Sequence, residues 1–246
     1  MFIKLPSGAA FFAIALIVLS YKLLYNIFVA TSTVEQYVKK IYQLEEPGKK
    51  VQTHAVAEAL EVTPGTATVM IKHLSKLGLV DYTPRYGVNL TDQGTSMAVR
   101  LLRYHRLIET FLVQVLGYDW SEIHAEAEVL EHAVSERFIE KIDTLLNHPE
   151  FDPHGDPIPN AKGLITLKSC IPLGSAKNGT KGIISRFIKT NPDILGLMDS
   201  HGLNIGVDIT IVEQNPIAGT ITIHGPRGTF TMGVDLGTRI LIEPKP

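Results

Sequence analysis

Cysteine is nearly absent: Cys170 is the single one in 246 residues. No intrachain disulfide can form and no zinc site built of thiolates is available, so any metal held here must be met by oxygen and nitrogen. That usage fits a reducing compartment. Net charge is also almost missing, with 23 Lys and Arg against 25 Asp and Glu, a formal −2. Bulk charge therefore does not make the chain a generic nucleic-acid binder. Internal repeats and low-complexity tracts are lacking, and 45% hydrophobic with 20% charged residues is a globular composition, enough for one large domain or two or three small ones.

The charge that is present is unevenly placed. Thr33 to Thr110 carries ten Lys and Arg against eight Asp and Glu, a net of +2, whereas Phe111 to Lys168 carries four against eleven, a net of −7. Within the acidic part, "HAEAEVLEH" from His124 to His132 has two histidines and three glutamates and no Lys or Arg at all. Solvated helix faces normally offset their acids with basic residues at i,i+4. At about 100° per residue, His124, Glu128, Glu131 and His132 share one narrow arc, at the edge of the apolar stripe of Ile123, Ala127, Leu130, Val134 and Phe138, while Glu126 points away. Uncompensated carboxylates beside imidazoles call for a cation.

Several elements are legible from period and punctuation. "TVEQYVKKIYQLEE" places Val34, Tyr37, Val38, Ile41 and Leu44 on one helical face. "THAVAEALEV" reads as a short helix capped by Thr53, and "TPGTATVMIKHLSKLGLV" as another with Thr63 as N-cap, Pro64 at the first helical position and Gly78 at the end. "VDYTPRYGVNLT" is a hairpin turning at Arg85, Tyr86 and Gly87. Helix, helix, tight turn, helix, hairpin is the order of a winged helix-turn-helix. Helices are expected again from Asp92 to Leu116 and from Trp120 to about Asn147. "HPEFDPHGDPIPN" reads as a domain boundary, and the alternating runs "VDITIVEQ", "GTITIHGP" and "GTFTMGVDLGTRILIEP" as a small antiparallel barrel or sandwich. Before all of this, Ala9 to Val29 is apolar with only Lys22 and Asn26 as strongly polar interruptions, long enough to span a bilayer at roughly 20 residues. A secretory signal and a buried core helix are the rival readings of that stretch.

"YVKKIYQLEE", "YHRLIETFL", "HAEAEVLEHAVSE" and "GDPIP", in that order and spacing, resemble the diphtheria-toxin-repressor family of metal-dependent transcription regulators, including its manganese-responsive members. The resemblance runs from about Thr31 to the C-terminus. It implies a mainly α chain with a small β domain: a winged helix-turn-helix DNA-binding domain over 31–98, a helical metal-binding and dimerisation domain over 99–160, and an SH3-like (FeoA-type) domain over 161–246. It also implies Mn2+ or Fe2+ as cofactor, operator DNA as partner, a homodimer and a cytoplasmic location. Carried over by position, a primary metal site would comprise Gln36, Glu128, Glu131 and His132. Gln36 departs from the pattern, since iron-responsive relatives have methionine there and manganese-responsive ones a carboxylate. Glu128 stands where the iron-responsive type has cysteine, and Lys39 where the short manganese type has a further acid, so the binuclear cluster of that type does not transfer. An ancillary site would use His105, Glu109 and His124, with Asp193 from the β domain as a further ligand. As an acid near a helix N-terminus, Asp193 has an equal reading as a partner of the helix dipole.

For DNA, the same resemblance points to "TPGTATVMIKHLSK". Thr63, Gly65, Thr66 and Thr68 are small and polar where a recognition helix meets bases and phosphates, while Lys72, Lys76 and Arg85 of the wing can neutralise phosphate. Met70 and Leu74 should pack inward. With no Arg or Asn at the reading positions, specificity is expected to rest on van der Waals contact and DNA shape. "LPSGAAFFAIALIVLSYKLL" resembles the last membrane helix of ABC-type manganese or zinc permeases, so residues 1–30 read as a membrane helix or a permease remnant that would tether the regulator. Two rivals come from other classes. A helical metalloenzyme would share the His/Glu content, but H-x-x-x-E-x-x-E-H is not the H-E-x-x-H of zinc proteases and no nucleophile stands beside it. A membrane-anchored interaction protein would rest on the N-terminal stretch alone.

Overall fold

The computed structural model describes residues 31–119, 122–188 and 191–245. The apolar stretch of residues 1–30, with the membrane reading attached to it, lies outside the described residues, as does Trp120. Among the described residues no helix is long and apolar enough to cross a membrane. Two units are present, Met1–Val99 and Arg100–Pro246.

In the first unit, α1 is helical over residues 31–44 and is followed by α2 (Thr53–Ala59), α3 (Pro64–Lys76), β1 (Val80–Thr83), β2 (Gly87–Leu90) and the start of α4 (Asp92–Gln114). The apolar spacing of each helix explains its packing. Tyr37, Val38 and Ile41 of α1, Val56 and Ala57 of α2, and Ala67, Ile71 and Leu74 of α3 form one buried cluster with Val80, Val88 and Ala98. Thr63 caps α3 as expected: its side chain accepts from the Thr66 N–H at 3.2 Å. The helix is stopped at Gly78, whose φ of +73° favours glycine. At α2 the cap position is Gln52, which makes no side-chain cap bond, and Thr53 is the first helical residue. The wing pairs Val80 with Leu90 and Thr83 with Gly87.

The second unit holds the rest of α4, then α5 (Ile123–Leu130) and α6 (Glu136–Leu145). A single helix to Asn147 was expected, but the chain breaks between Glu131 and Ser135. The Ser135 hydroxyl accepts from the Phe138 N–H at 3.3 Å and starts α6 afresh. The break lets Ile139 and Ile142 join Leu107, Ile108, Leu112, Ile123 and Ala127 in one core, and it leaves Glu131 and His132 in the turn beyond α5 rather than on it.

The segment "HPEFDPHGDPIPN", expected as a boundary, is irregular but docked. Arg103 Nη1 donates to the Pro159 carbonyl at 2.7 Å and Arg106 Nη1 to that of Pro157 at 2.5 Å, binding it along α4. Its far side meets the β domain, where the Phe187 N–H donates to the His154 carbonyl at 2.9 Å. Gly155 is required at this junction: its φ is +82°, and a Cβ would lie 2.0 Å from the Ser185 carbonyl oxygen. We call this segment the strap.

The β domain runs β3 (Ile171–Pro172), a 3-10 turn at Leu173–Ser175, β4 (Lys181–Phe187), α7 (Pro192–Ser200), β5 (Asp208–Asn215), β6 (Thr220–Gly225), β7 (Gly228–Gly233), α8 (Val234–Thr238) and β8 (Ile240–Pro244). The sheet order is β3-β8-β4-β5-β6-β7, with the pairings antiparallel. Alternating Ile209, Ile211, Ile221, Ile223, Ile240 and Ile242 fill its core. The run "GTFTMGVDLGTRILIEP" is thus two strands separated by α8, and β4 carries no alternation strong enough to have been anticipated.

Candidate metal centre and nucleic-acid face

Residues His105 and Glu109 stand one turn apart on α4, so both side chains face α5. His105 is 6% exposed and Glu109 2% exposed, far from the surface histidine that position 105 would suggest by itself. His105 Nε2 lies 3.0 Å from Glu109 Oε1 and 3.1 Å from His124 Nδ1, and His124 Nδ1 is 3.2 Å from the same Glu109 oxygen. The other nitrogen of His105, Nδ1, is 2.6 Å from Glu131 Oε2. Nδ1 donates to Glu131 and Nε2 to Glu109, and once Nε2 gives up its proton its lone pair is directed at Glu109 and His124. A carboxylate behind an imidazole in this way fixes the tautomer that binds a metal.

Three groups of side chains among the described residues bring potential ligand atoms within 4.8 Å of one another: His105, Glu109 and His124; His105, Glu128 and Glu131; and Glu109, Asp152 and His154. The first is the ancillary trio that the sequence suggested. The second contains two of the primary residues, joined by His105. His132, 5% exposed in its side chain, has Nε2 3.5 Å from Glu131 Oε1. Asp193 is exposed in the first turn of α7 and belongs to none of these groups. Gln36 lines a cavity of about 500 Å³ in the first unit with Tyr37, Gly65, Thr66 and Met70. Lys39 is buried, 3% exposed; as a cation it cannot replace the acid that the binuclear type has there.

The donor set fits a hard or borderline divalent ion. It consists of imidazole nitrogen and carboxylate oxygen, with no sulfur, which suits Mn2+ or Fe2+. Burial would push the Glu109 carboxyl up, but hydrogen bonds from His105, His124 and His154 outweigh it and hold the group well below its usual range. Glu109 is thus an ionised acceptor at the centre of the cluster.

The residues expected to meet DNA lie at the start of α3, along it and on the wing. Thr63, Gly65, Thr66, Lys72 and Lys76 are exposed, as is Arg85 at the wing tip, while Thr68 is half-buried. Several threonine hydroxyls are already engaged: Thr63 and Thr66 Oγ1 are 2.9 Å apart, and Thr68 Oγ1 donates to the Pro64 carbonyl at 2.7 Å. Leu74 is fully buried and Met70 half-buried, as expected. Sequence reasoning missed Val69, 70% exposed, and His73, also exposed. Their spacing from Thr66 and Lys76 places them on the same helical face, and an exposed valine there can meet a thymine methyl. Asp152 and His154, which lie beside Glu109, were not singled out because Pro and Gly marked their segment only as a domain boundary.

Comparison with known proteins covers most of the chain. Residues 30–88 match a family profile described as the iron dependent repressor N-terminal DNA binding domain, residues 91–160 the iron dependent repressor metal binding and dimerisation domain, and residues 171–244 the FeoA domain. The chain is 29% identical over 225 residues to the iron-dependent repressor IdeR of Mycobacterium leprae, covering 86% of this chain and 96% of that one. It is 34% identical over 138 residues to the HTH-type transcriptional regulator MntR of Listeria welshimeri, covering 56% of this chain and 95% of that one. Among solved structures, a manganese-dependent transcriptional repressor in complex with manganese is similar at 36% identity and a TM-score of 0.78, spanning 86% of this chain and 100% of the other. The manganese regulator SloR is similar at 35% and 0.69, spanning 86% and 98%.

Proposed function

The chain belongs to the iron-dependent repressor family of metal-dependent transcription regulators, and from that premise we propose that it is a homodimeric repressor that binds operator DNA when loaded with Mn2+ or Fe2+ and so controls metal uptake genes. It is a DNA-binding regulator and not an enzyme. The fold is the family's: winged helix-turn-helix, helical metal-binding and dimerisation part, and SH3-like FeoA domain. We assign these to residues 31–98, 99–160 and 161–246. The observation that carries the reading is the trio of buried His105 and Glu109 with exposed His124, beside Glu128 and Glu131.

The ligand sets proposed are His105, Glu109 and His124, with Asp193 as a further ligand, and Gln36, Glu128, Glu131 and His132. A bound divalent ion supplies positive charge to carboxylates that otherwise repel one another. The protein supplies the donors: Glu109 held ionised, and His105 oriented through Nδ1 by Glu131 so that Nε2 faces the ion. Metal affinity becomes control of DNA binding if the ion favours the DNA-competent arrangement, and about 3 kcal/mol of difference shifts the population roughly 10²-fold. Thr63, Gly65, Thr66 and Thr68 are proposed to meet the operator, with Lys72, Lys76 and Arg85 on its phosphates. Dimerisation is supported by Val115, Leu116, Val129, Phe138 and Leu145, large apolar side chains of the helical part left 48–68% exposed.

A repressor acts where its DNA is, which places residues 31–246 in the cytoplasm. Tethering through residues 1–30 would be compatible only with Met1 outside and Thr31 inside. Lys22, Lys39 and Lys40 against Lys4 favour that direction, and fractionation of cells carrying a C-terminal tag tests it. The function itself is tested by gel shift on promoter fragments of metal uptake genes. Retardation with Mn2+ or Fe2+ that chelator reverses is the expected result, and metal-independent retardation or none at all would refute it.

A further inference from the structure

Tyr37 of α1 is 4% exposed, and its buried hydroxyl has no hydrogen-bond partner. A buried polar group without a partner costs free energy that phenylalanine at the same place would avoid. Tyr37 also lines the cavity of about 500 Å³ between α1, the α2–α3 turn and α3. That volume falls within the roughly 300–1,000 Å³ typical of small-molecule sites. We propose that this cavity binds a neutral, mainly apolar small molecule carrying a carbonyl oxygen, and that such a ligand competes with operator DNA for the start of α3. The second half of the proposal rests on α3 meeting the operator, as argued above.

The lining sets the chemistry. Leu60 and Val62 form one wall and Val69 and Met70 another, and among the described lining residues none carries a charge. A charged ligand would lose hydration there without gaining a counter-ion, so the occupant is neutral. A phenol is a strong donor, which asks the ligand for an acceptor. A carbonyl oxygen supplies one without bringing a donor that apolar walls would leave unpaired. The walls are also held in place: the Val62 N–H donates to the Ala57 carbonyl at 2.9 Å, and the Thr63 cap fixes the first turn of α3. Val69 is 70% exposed and apolar, so a ligand at the rim gains by covering it.

Position sets the consequence. Gly65 and Thr66 line the cavity and are also residues proposed to meet the operator. A molecule seated against them stands where DNA would approach, and it therefore lowers operator affinity at fixed Mn2+.

The test uses acetophenone as probe and α-methylstyrene, which has the same shape with a methylene in place of the carbonyl oxygen. Each is titrated into the full chain and followed through methyl resonances. Saturable shifts centred on Leu60, Val62, Val69 and Met70 are expected. In Tyr37→Phe, which removes only an unpartnered hydroxyl, the preference for acetophenone over α-methylstyrene should fall roughly fivefold, the worth of one hydrogen bond. Val62→Phe, which narrows the cavity, should abolish the shifts. Acetophenone should also weaken Mn2+-dependent operator binding in the wild type and leave it unchanged in Val62→Phe. Absent shifts, or a preference unaltered in Tyr37→Phe, overturn the site while the repressor reading stands. Contacts between these methyls and protons of residues 1–30 would assign the cavity to that segment and overturn the small-molecule site. A chain that shows the shifts but binds no operator at any Mn2+ level keeps the site and overturns the repressor reading.

Discussion

His105 shows how a single residue can join two ligand sets. Its Nε2 faces Glu109 and His124 while Nδ1 is held by Glu131 at 2.6 Å, so loading at either set is felt through one imidazole ring. Gln36 is where the chain departs furthest from its relatives' donor pattern. If its amide oxygen is a ligand, Gln36→Asp places a hard anion where a neutral donor stood, and calorimetry should show roughly tenfold tighter Mn2+ binding, equivalent to about 1.4 kcal/mol. An unchanged affinity would place Gln36 outside the coordination shell. On the DNA side, Lys72 and Arg85 are exposed cations expected to act through phosphate. Alanine at either should weaken all sequences about equally and lower the salt slope by roughly 1, whereas a loss confined to one base position would show that the residue reads sequence.

Helix α6 begins because Ser135 caps it, and the cap also decides where Glu131 and His132 sit. Ser135→Ala should cost about 1 kcal/mol, read as a lower unfolding midpoint of the metal-free chain, with a larger proportional loss of Mn2+ affinity if the turn is what presents His132. Period and punctuation made most elements legible: Thr63, Pro64 and Gly78 bracket α3 in sequence as they do in space. The α5–α6 break was hidden because Leu130, Val134 and Phe138 continue the helical period across it, so only the weak cap signal of Ser135 marked the turn. The contacts of the strap were hidden for the opposite reason. Its Pro and Gly residues do forbid regular structure, but Arg103 and Arg106, more than 50 positions earlier, dock it through backbone carbonyls. No local pattern records a contact of that range, and Asp152 and His154 went unread with it.

For the molecule as a whole, the account makes metal and DNA two ligands of one equilibrium. The acidic segment from Phe111 to Lys168, net −7, contains four of the proposed ligands, His124, Glu128, Glu131 and His132, and the slightly basic segment before it contains the DNA-facing helix and wing. Coupling must then be reciprocal: operator DNA should tighten Mn2+ binding by the same factor by which Mn2+ tightens DNA binding. The most direct test is the operator affinity of the full chain, measured by fluorescence anisotropy across a Mn2+ titration and compared with Glu128→Ala and His132→Ala. The account predicts a rise of roughly 10²-fold or more for the wild type and a flat response in both variants, with their metal-free unfolding midpoints unchanged. Variants that respond to Mn2+ as the wild type does would contradict it.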